Sequence, residues 1–147
     1  MKHNRLRVAL LVMLLSSGVC TVSAAPSVQV GFSPEGSAQQ LVLQTVSDAR
    51  QSIRLMGYSF TSPDIARALI DAKKRGVDVQ VVLDEGDNRG KVSGAAMNLL
   101  VNAGIPVRTV SQFKRMHDKV IIVDNQTVET GSYNFTRSAA EANSENA

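Results

Sequence analysis

The chain of 147 residues is neither strongly charged nor rich in cysteine: it has 16 Lys and Arg, 13 Asp and Glu, and one Cys. Three of the cations lie in the first seven residues, so the rest of the chain carries 13 charges of each sign. This balance excludes an overall cationic surface as the basis of nucleic-acid binding, which would need a local patch. Cys20 lies near the N-terminus, which leaves no thiolate for a zinc site in the remainder.

The N-terminus has the three parts of a secretory signal peptide. The basic stub MKHNRLR precedes the apolar run VALLVMLLSSGVC, and small residues follow. We place cleavage after Ala24, and we expect a periplasmic or secreted domain of residues 25–147 with no stable membrane association. The alternative is an uncleaved anchor, which is disfavoured because the apolar run is shorter than the about 20 residues that a spanning helix needs.

Along the rest of the chain, apolar β-rich runs alternate with helical patterns. SVQVGF predicts a strand, SAQQLVLQTVSDARQ a helix and SIRLMGYSF a second strand. TSPDIARALIDAKKRGV predicts a helix with Ser62 as its N-cap, Pro63 at its first position and Gly76 after its end. There follow the strand VDVQVVLD, the polar loop EGDNRGK, a helix near GAAMNLLVNAG, the short strand IPVRTV and a closing hairpin.

Strands that alternate with helices require crossover connections between the strands. They predict an α/β fold, in which a mixed, largely parallel sheet is flanked by helices on both faces. The length of residues 25–147 suits a single domain.

The closing hairpin carries the side chains best suited to chemistry. His117 and Lys119 are two residues apart at the start of the run VIIVD, so they share one face of a strand. If the hairpin strands pair, Ser132 and Asn134 lie beside them. An imidazole can attack phosphorus or transfer a proton, while an ammonium and an amide stabilise the phosphate oxygens. The set therefore suits a phosphodiester and requires no metal or other cofactor.

These residues form a recognisable signature. HDKVIIVDNQTVETGSYN has the form H-x-K-x(4)-D-x(6)-G-S-x-N, which resembles the motif of the phospholipase D superfamily. The upstream segment YSFTSPDIARALIDAKKRGVDVQVVLD resembles the small exported branch of that family, the bacterial Nuc-type endonucleases. The resemblance implies a phospholipase D-like fold and the hydrolysis of DNA, with RNA as a further substrate, without sequence preference or metal.

The resemblance also implies a role for each residue of the motif. His117 would be the nucleophile that forms a phosphohistidine, Lys119 and Asn134 would hold the phosphate oxygens, and Ser132 would contact the site. Asp124 would be structural or orienting.

Glu145, in the segment NSEN, matches the acid that hydrogen-bonds the catalytic imidazole in the resembling branch. The resembling proteins continue past this segment into another strand and a terminal helix. We therefore expect a domain truncated at its C-terminus, with an open sheet edge and a poorly held Glu145.

Substrate binding and partners follow from charge and from the number of histidines. Four cations flank the motif in sequence and are candidates for phosphate contacts along a nucleic acid: Arg89, Lys91, Lys114 and Arg115.

His3 leaves with the signal peptide, so the second imidazole needed to protonate the leaving oxygen must come from a second molecule. A homodimer with a shared active site is expected.

Several alternatives remain open from the residues alone. Ser132 and Asn134 are common turn formers and could serve the hairpin instead of a substrate. Asp84, Glu85 and Asp87 could form a carboxylate metal site, although an acidic loop after a strand is usually only a loop. The functional alternatives are a phospholipid phosphodiesterase with the same chemistry and a catalytically inactive nucleic-acid-binding protein.

Overall fold

The computed structural model describes residues 25–147, so the predicted signal peptide lies outside the described residues. The helices are α1 (Ser37–Asp48), α2 (Pro63–Lys74), α3 (Lys91–Asn102) and α4 (Arg137–Glu141). The strands are β1 (Phe32–Ser33), β2 (Ser52–Gly57), β3 (Asp78–Asp84), β4 (Val107–Val110), β5 (Lys119–Val123), β6 (Thr127–Thr130) and β7 (Glu145–Asn146).

A five-stranded mixed sheet in the order β4-β3-β2-β5-β6 forms the centre of the fold. The pairs β2–β3 and β3–β4 are parallel, and α2 and α3 provide their crossover connections. The pairs β2–β5 and β5–β6 are antiparallel. The predicted α/β class, a mixed sheet flanked by helices, is confirmed. A separate antiparallel pair is formed by β1 and β7.

The local signals that predicted α2 are all present in its structure. The Ser62 hydroxyl accepts a hydrogen bond from the backbone N–H of Ile65 at 3.4 Å, and Pro63 is the first helical residue. Gly76 has a φ of +92°, which favours glycine, just after the last turn. The buried stripe of the helix comprises Ile65, Ala66, Leu69 and Ala72.

The three long helices form one layer, because α1 contacts α2 and α2 contacts α3. Alternate residues of the central strands are buried in the core, including Ile53, Leu55 and Val81. The side chains between them point to the other face of the sheet. On that face Met56 is 37% exposed and Val128 is 62% exposed, so the core is concentrated on one side of the sheet.

The first predicted strand is much shorter than its sequence suggested. SVQVGF was expected to be extended and paired throughout, but only Phe32 and Ser33 form β1. Gly31 exchanges two backbone hydrogen bonds with Ala147, and within the described part of the chain the residues before it have no neighbouring strand. A β-rich sequence forms a ladder only where a partner edge is present, which explains the difference.

Candidate active site

The site lies at the edge of the sheet where β2 and β3 end and β5 begins. Gly57, the last residue of β2, pairs with Lys119, the first residue of β5. The Asp84 carboxylate, at the end of β3, accepts hydrogen bonds from the backbone N–H groups of Asp87 and Met116, both at 2.8 Å. These bonds lower the pKa of Asp84 and fix the residue that precedes His117.

Lys119 is a buried cation at the base of this site. Lys119 is only 7% exposed, and its Nζ donates a hydrogen bond to the carbonyl oxygen of His117 at 3.0 Å. Burial lowers the pKa of Lys119, while the charges of Glu145 and Asp118 act in the opposite direction. A weakly solvated ammonium beside an exposed imidazole suits the binding of a phosphate oxygen.

Tyr58 is a part of the site that the sequence did not reveal. Its ring meets the edge of the His117 ring at a centroid distance of 4.5 Å, and Lys119 Nζ lies 5.3 Å from its centroid. A hydrogen bond with Asp87, together with burial and the charge of that carboxylate, raises the pKa of the Tyr58 hydroxyl. Tyr58 follows the residue that pairs with Lys119, so only the strand register could have identified it.

Ser132 forms hydrogen bonds with the backbone of β7. Its N–H donates to the Asn146 carbonyl at 3.0 Å, and its hydroxyl accepts from the Asn146 N–H at 3.0 Å. A Cβ at Gly131 would overlap the same carbonyl oxygen, so glycine is required for this close approach. The structure thus gives Ser132 a role in holding β7, which differs from the hairpin role considered from the sequence.

Asn134 lies near the C-terminal end of β2, because the next residue, Phe135, forms a β-bridge with Phe60, which follows that strand. The Asn134 side-chain oxygen is buried and has no hydrogen-bond partner among the described residues. An amide held at the same sheet edge as Lys119 is suitable for contact with a phosphate.

Glu145 lies near Lys119, since its charge acts on the pKa of that lysine. The implied hydrogen bond to the catalytic imidazole is not observed: Glu145 Oε1 accepts instead from Asn143 Nδ2 at 2.9 Å. In this conformation Glu145 is bonded to Asn143 and not to His117.

Asp124 does not lie with the other motif residues. It follows the far end of β5, and a strand of this length places that end roughly 13 Å from Lys119. Its carboxylate accepts backbone hydrogen bonds from Arg50, Gln51 and Ser52 at 2.7–2.8 Å, and these bonds lower its pKa. Of the two roles expected for Asp124, structural or orienting, these bonds agree with the structural one: the carboxylate joins the β5–β6 turn to the start of β2.

The four candidate substrate cations lie on segments that lead to the same edge. Arg89 is bound to Glu85 at 2.7 Å, and Lys91 begins α3. Lys114 and Arg115 are exposed in the segment before His117, and Arg115 contributes to the low pKa of Asp84. The charge of Arg115 thus acts on Asp84, whose carboxylate holds the residue before His117.

The acidic loop after β3 does not have the geometry of a metal site. Both Asp84 oxygens are bonded to backbone amides, and Glu85 is paired with Arg89. Within residues 25–147, no group of three or more His, Cys, Asp or Glu side chains is arranged to hold a metal ion. The residues present therefore do not fit the carboxylate metal site considered from the sequence.

The fold and the motif define a phospholipase D-like domain. Residues 42–147 match the family model described as cardiolipin synthase, PLD-like domain, and the chain belongs to this family. Members of the phospholipase D superfamily are phosphodiesterases.

Two solved structures show how close the likeness is. Nuc from Salmonella typhimurium, a phospholipase D family member, is 64% identical with a TM-score of 0.82, over 83% of this chain and 80% of that one. NucT from Helicobacter pylori is 29% identical with a TM-score of 0.72, over 80% of each chain. The resemblance to the Nuc-type branch is thereby confirmed.

The curated relatives have names that differ from those of the two solved nuclease-type structures. A protein called phospholipase D from Rickettsia bellii is 36% identical over 115 residues, which are 78% of this chain and 56% of the relative. The mitochondrial cardiolipin hydrolase of Homo sapiens is 36% identical over 131 residues, which are 83% of this chain and 51% of the relative. The chain thus spans little more than half the length of these curated relatives.

Proposed function

We propose that this chain is an exported phosphodiesterase that hydrolyses DNA, and RNA as a further substrate, without a metal and through a phosphohistidine. The observation that carries the proposal is an exposed imidazole, His117, that packs against the Tyr58 ring, while the Lys119 ammonium is bonded to the backbone carbonyl oxygen of the same histidine. The export step rests on the N-terminal sequence. No helix in residues 25–147 is long and apolar enough to cross a membrane.

In the proposed first step, a His117 ring nitrogen attacks phosphorus and the bond to the leaving oxygen breaks. The Lys119 ammonium and the Asn134 amide hold the remaining phosphate oxygens as charge builds up on them. The leaving oxygen takes a proton from a general acid. In the second step water attacks the phosphohistidine, its proton passes to the same group, and His117 is released.

We assign the general acid to His117 of a second copy, because residues 25–147 contain no other histidine. His117 is exposed, so a two-fold axis beside it would bring both imidazoles to one phosphate. The test mixes wild-type protein with excess His117→Asn protein under subunit exchange. Activity should fall further than dilution alone predicts, whereas activity that follows only the amount of wild-type chain would exclude the shared site.

Nucleic acid is the preferred substrate because the chain resembles the Nuc-type endonucleases and exposes Lys114 and Arg115 just before His117. A lipid phosphodiester is the second candidate, and it is favoured by the names of the curated relatives, phospholipase D and mitochondrial cardiolipin hydrolase. Against it, the cavity of about 630 Å³ lined by β6 and the N-terminal segment does not include His117 among its lining residues.

The deciding experiment incubates purified residues 25–147 with supercoiled plasmid DNA, and in parallel with phosphatidylcholine and cardiolipin vesicles. We expect nicked and linear plasmid and no released headgroup. Phosphatidic acid without plasmid cleavage would transfer the assignment to lipids. Retarded but intact plasmid would indicate a binding protein without catalysis.

A further inference from the structure

A short exposed segment leads from β4 to the site and is held at both ends. The Val110 carbonyl oxygen accepts a hydrogen bond from the Glu85 N–H at 3.0 Å, and the Met116 N–H donates to the Asp84 carboxylate at 2.8 Å. Met116 is buried, whereas the residues between the two bonds, 111–115, are all exposed. We call residues 111–115 the tip. Because both of its ends are fixed to the loop that follows β3, the tip presents its side chains to solvent beside the site.

Phe113 lies in the middle of the tip. It is 56% exposed, the largest exposed fraction of any aromatic residue in 25–147, while three other aromatic side chains are fully buried in the core. A single exposed apolar side chain is common on protein surfaces, so exposure alone gives Phe113 no function. What distinguishes this ring is that two cations, Lys114 and Arg115, follow it directly.

The two cations of the tip are available to bind anions. Lys114 and Arg115 are exposed, and neither belongs to a salt bridge among the described residues. The pKa of Asp84 is lowered first by the backbone N–H of Asp87 and further by the charge of Arg115, so this cation lies close to the site. Proteins that bind single-stranded nucleic acids combine cations, which contact the phosphates, with aromatic rings, on which the bases stack.

The tip is close enough to His117 to contact the same strand. Phe113 and His117 are four residues apart, so their Cα atoms are separated by at most about 14 Å. Phosphates of one strand follow each other every 3.4 Å or so along a duplex, and they lie farther apart in an extended single strand. A base at Phe113 would therefore lie within about four nucleotides of a phosphate at His117.

We propose that Phe113 is a stacking platform for an unpaired base of the strand that His117 cleaves, with Lys114 and Arg115 on the phosphates beside that base. The inference rests on the proposed function and adds a preference to it. An internal base of a duplex is already stacked on both faces, so the tip favours single-stranded or locally unpaired nucleic acid. Every base has a π face, so the platform adds no sequence preference.

Two other occupants fit the tip less well than a nucleic-acid strand. A second copy related by a two-fold axis through the tip would bring like charges together, because the same two cations would face each other. A membrane surface would need more buried apolar area for stable binding than one ring provides. A strand of nucleic acid satisfies both the ring and the cations.

A fluorescent probe at the tip tests the stacking directly. The chain contains no tryptophan, so Phe113→Trp introduces a single indole. In residues 25–147 this change is combined with His117→Asn, which is expected to prevent cleavage. The protein is titrated with an oligothymidylate of about twelve nucleotides and with an abasic strand of the same length. We expect saturable quenching of the indole emission by the oligothymidylate and little quenching by the abasic strand, because only a base can stack on the ring.

Affinities separate the ring from the charges. Fluorescence anisotropy of the two labelled strands is measured on the His117→Asn protein. Phe113→Ala should weaken binding of the oligothymidylate at least about fivefold and leave binding of the abasic strand unchanged. Lys114→Gln should weaken binding of both strands and reduce the slope of log affinity against log salt by about 0.7. Leu99→Ala, which removes an exposed apolar side chain from α3, is the matched control and should change neither. Thermal unfolding establishes that each variant is folded.

The inference is overturned if Phe113→Ala changes the binding of both strands equally, or of neither, or if both strands quench the indole alike. A blue shift of the emission on phosphatidylserine vesicles, without quenching by oligothymidylate, would assign the tip to a membrane instead. A lower mass by light scattering for Phe113→Ala than for Leu99→Ala would assign it to a second copy.

Plasmid cleavage by the wild type is scored separately from these binding experiments. Cleavage without base-dependent binding would refute the stacking platform alone. Base-dependent binding without cleavage would refute the proposed hydrolysis alone.

Discussion

The edge of the His117 ring meets the ring of Tyr58 at a centroid separation of 4.5 Å and an interplanar angle of 67°. The same tyrosine ring lies 5.3 Å from the ammonium of Lys119. One side chain at the end of β2 therefore helps to position both the proposed nucleophile and the proposed phosphate-binding cation.

Replacing Tyr58 should affect turnover through this positioning. An edge-to-face pair is worth about 0.5–1.5 kcal/mol, so Tyr58→Ala should lower kcat about 2- to 13-fold. Tyr58→Phe keeps the ring and should retain most of the activity. Steady-state kinetics on plasmid DNA measures both variants. Equal losses in the two would show that the hydroxyl, and not the ring, is what matters.

Asp84→Asn should destabilise the loop before His117. The amide has one oxygen where the carboxylate has two, so one of the buried N–H groups of Asp87 and Met116 loses its acceptor, at a cost of about 1–3 kcal/mol. Because the folded-state pKa of Asp84 is lowered, its contribution is present at neutral pH and is lost as the pH falls below about 4. Urea unfolding at pH 7 and at pH 3 measures this.

The wild type should be the more stable protein at pH 7, and the difference should shrink at pH 3. A constant difference between the two pH values would show that the charge of Asp84 does not contribute. Glu35→Gln is a suitable control, because that acid is exposed to solvent and lies outside the loop.

Sequence reasoning succeeded where the signal was local. Ser62, Pro63 and Gly76 delimit α2 as predicted, because capping and the freedom of glycine depend on adjacent residues. The apolar β-rich runs predicted the central strands in the same way. The spacing of His117 and Lys119 placed the two residues close together, as the bond from Lys119 Nζ to the His117 carbonyl oxygen shows, while their catalytic roles stay predictions.

The features that sequence reasoning did not find depend on pairing between distant parts of the chain. The extent of β1 depends on its pairing with β7, which lies more than a hundred residues later. Tyr58 lies at the site only through the register of β2 and β5, and the backbone partners of Asp124 lie more than seventy residues before it, at the start of β2. No pattern along a single sequence specifies such partners.

Glu129 should make stability depend on pH in the neutral range. Burial raises its pKa from 4.5 to about 7 in the folded protein. Its stabilising contribution is therefore complete below pH 4.5 and is lost as the pH rises through 7. Glu129→Gln removes this dependence and should raise the free energy of unfolding at pH 8 by up to about 3 kcal/mol.

Thermal melts of both proteins between pH 5 and pH 8 measure this effect. The wild type should lose melting temperature relative to Glu129→Gln across that range. Parallel curves would contradict the raised pKa and show that the carboxylate is solvated or paired in solution.

Nuclease activity should survive chelation. The proposed chemistry uses His117, Lys119 and Asn134 and assigns no step to a metal, so plasmid cleavage in EDTA should match cleavage in untreated buffer. Loss of activity in EDTA with recovery on adding magnesium would contradict this and indicate a metal bound by acidic side chains.

The central claim is that His117 forms a covalent bond to phosphorus during DNA cleavage. The most direct measurement compares plasmid cleavage by the wild type, His117→Asn and Glu35→Gln, an exposed acid outside the site that serves as the control. His117→Asn should remain folded and lose activity by about three orders of magnitude or more, because an amide cannot attack phosphorus. Glu35→Gln should stay near wild type. Near-normal cleavage by folded His117→Asn protein would contradict the account.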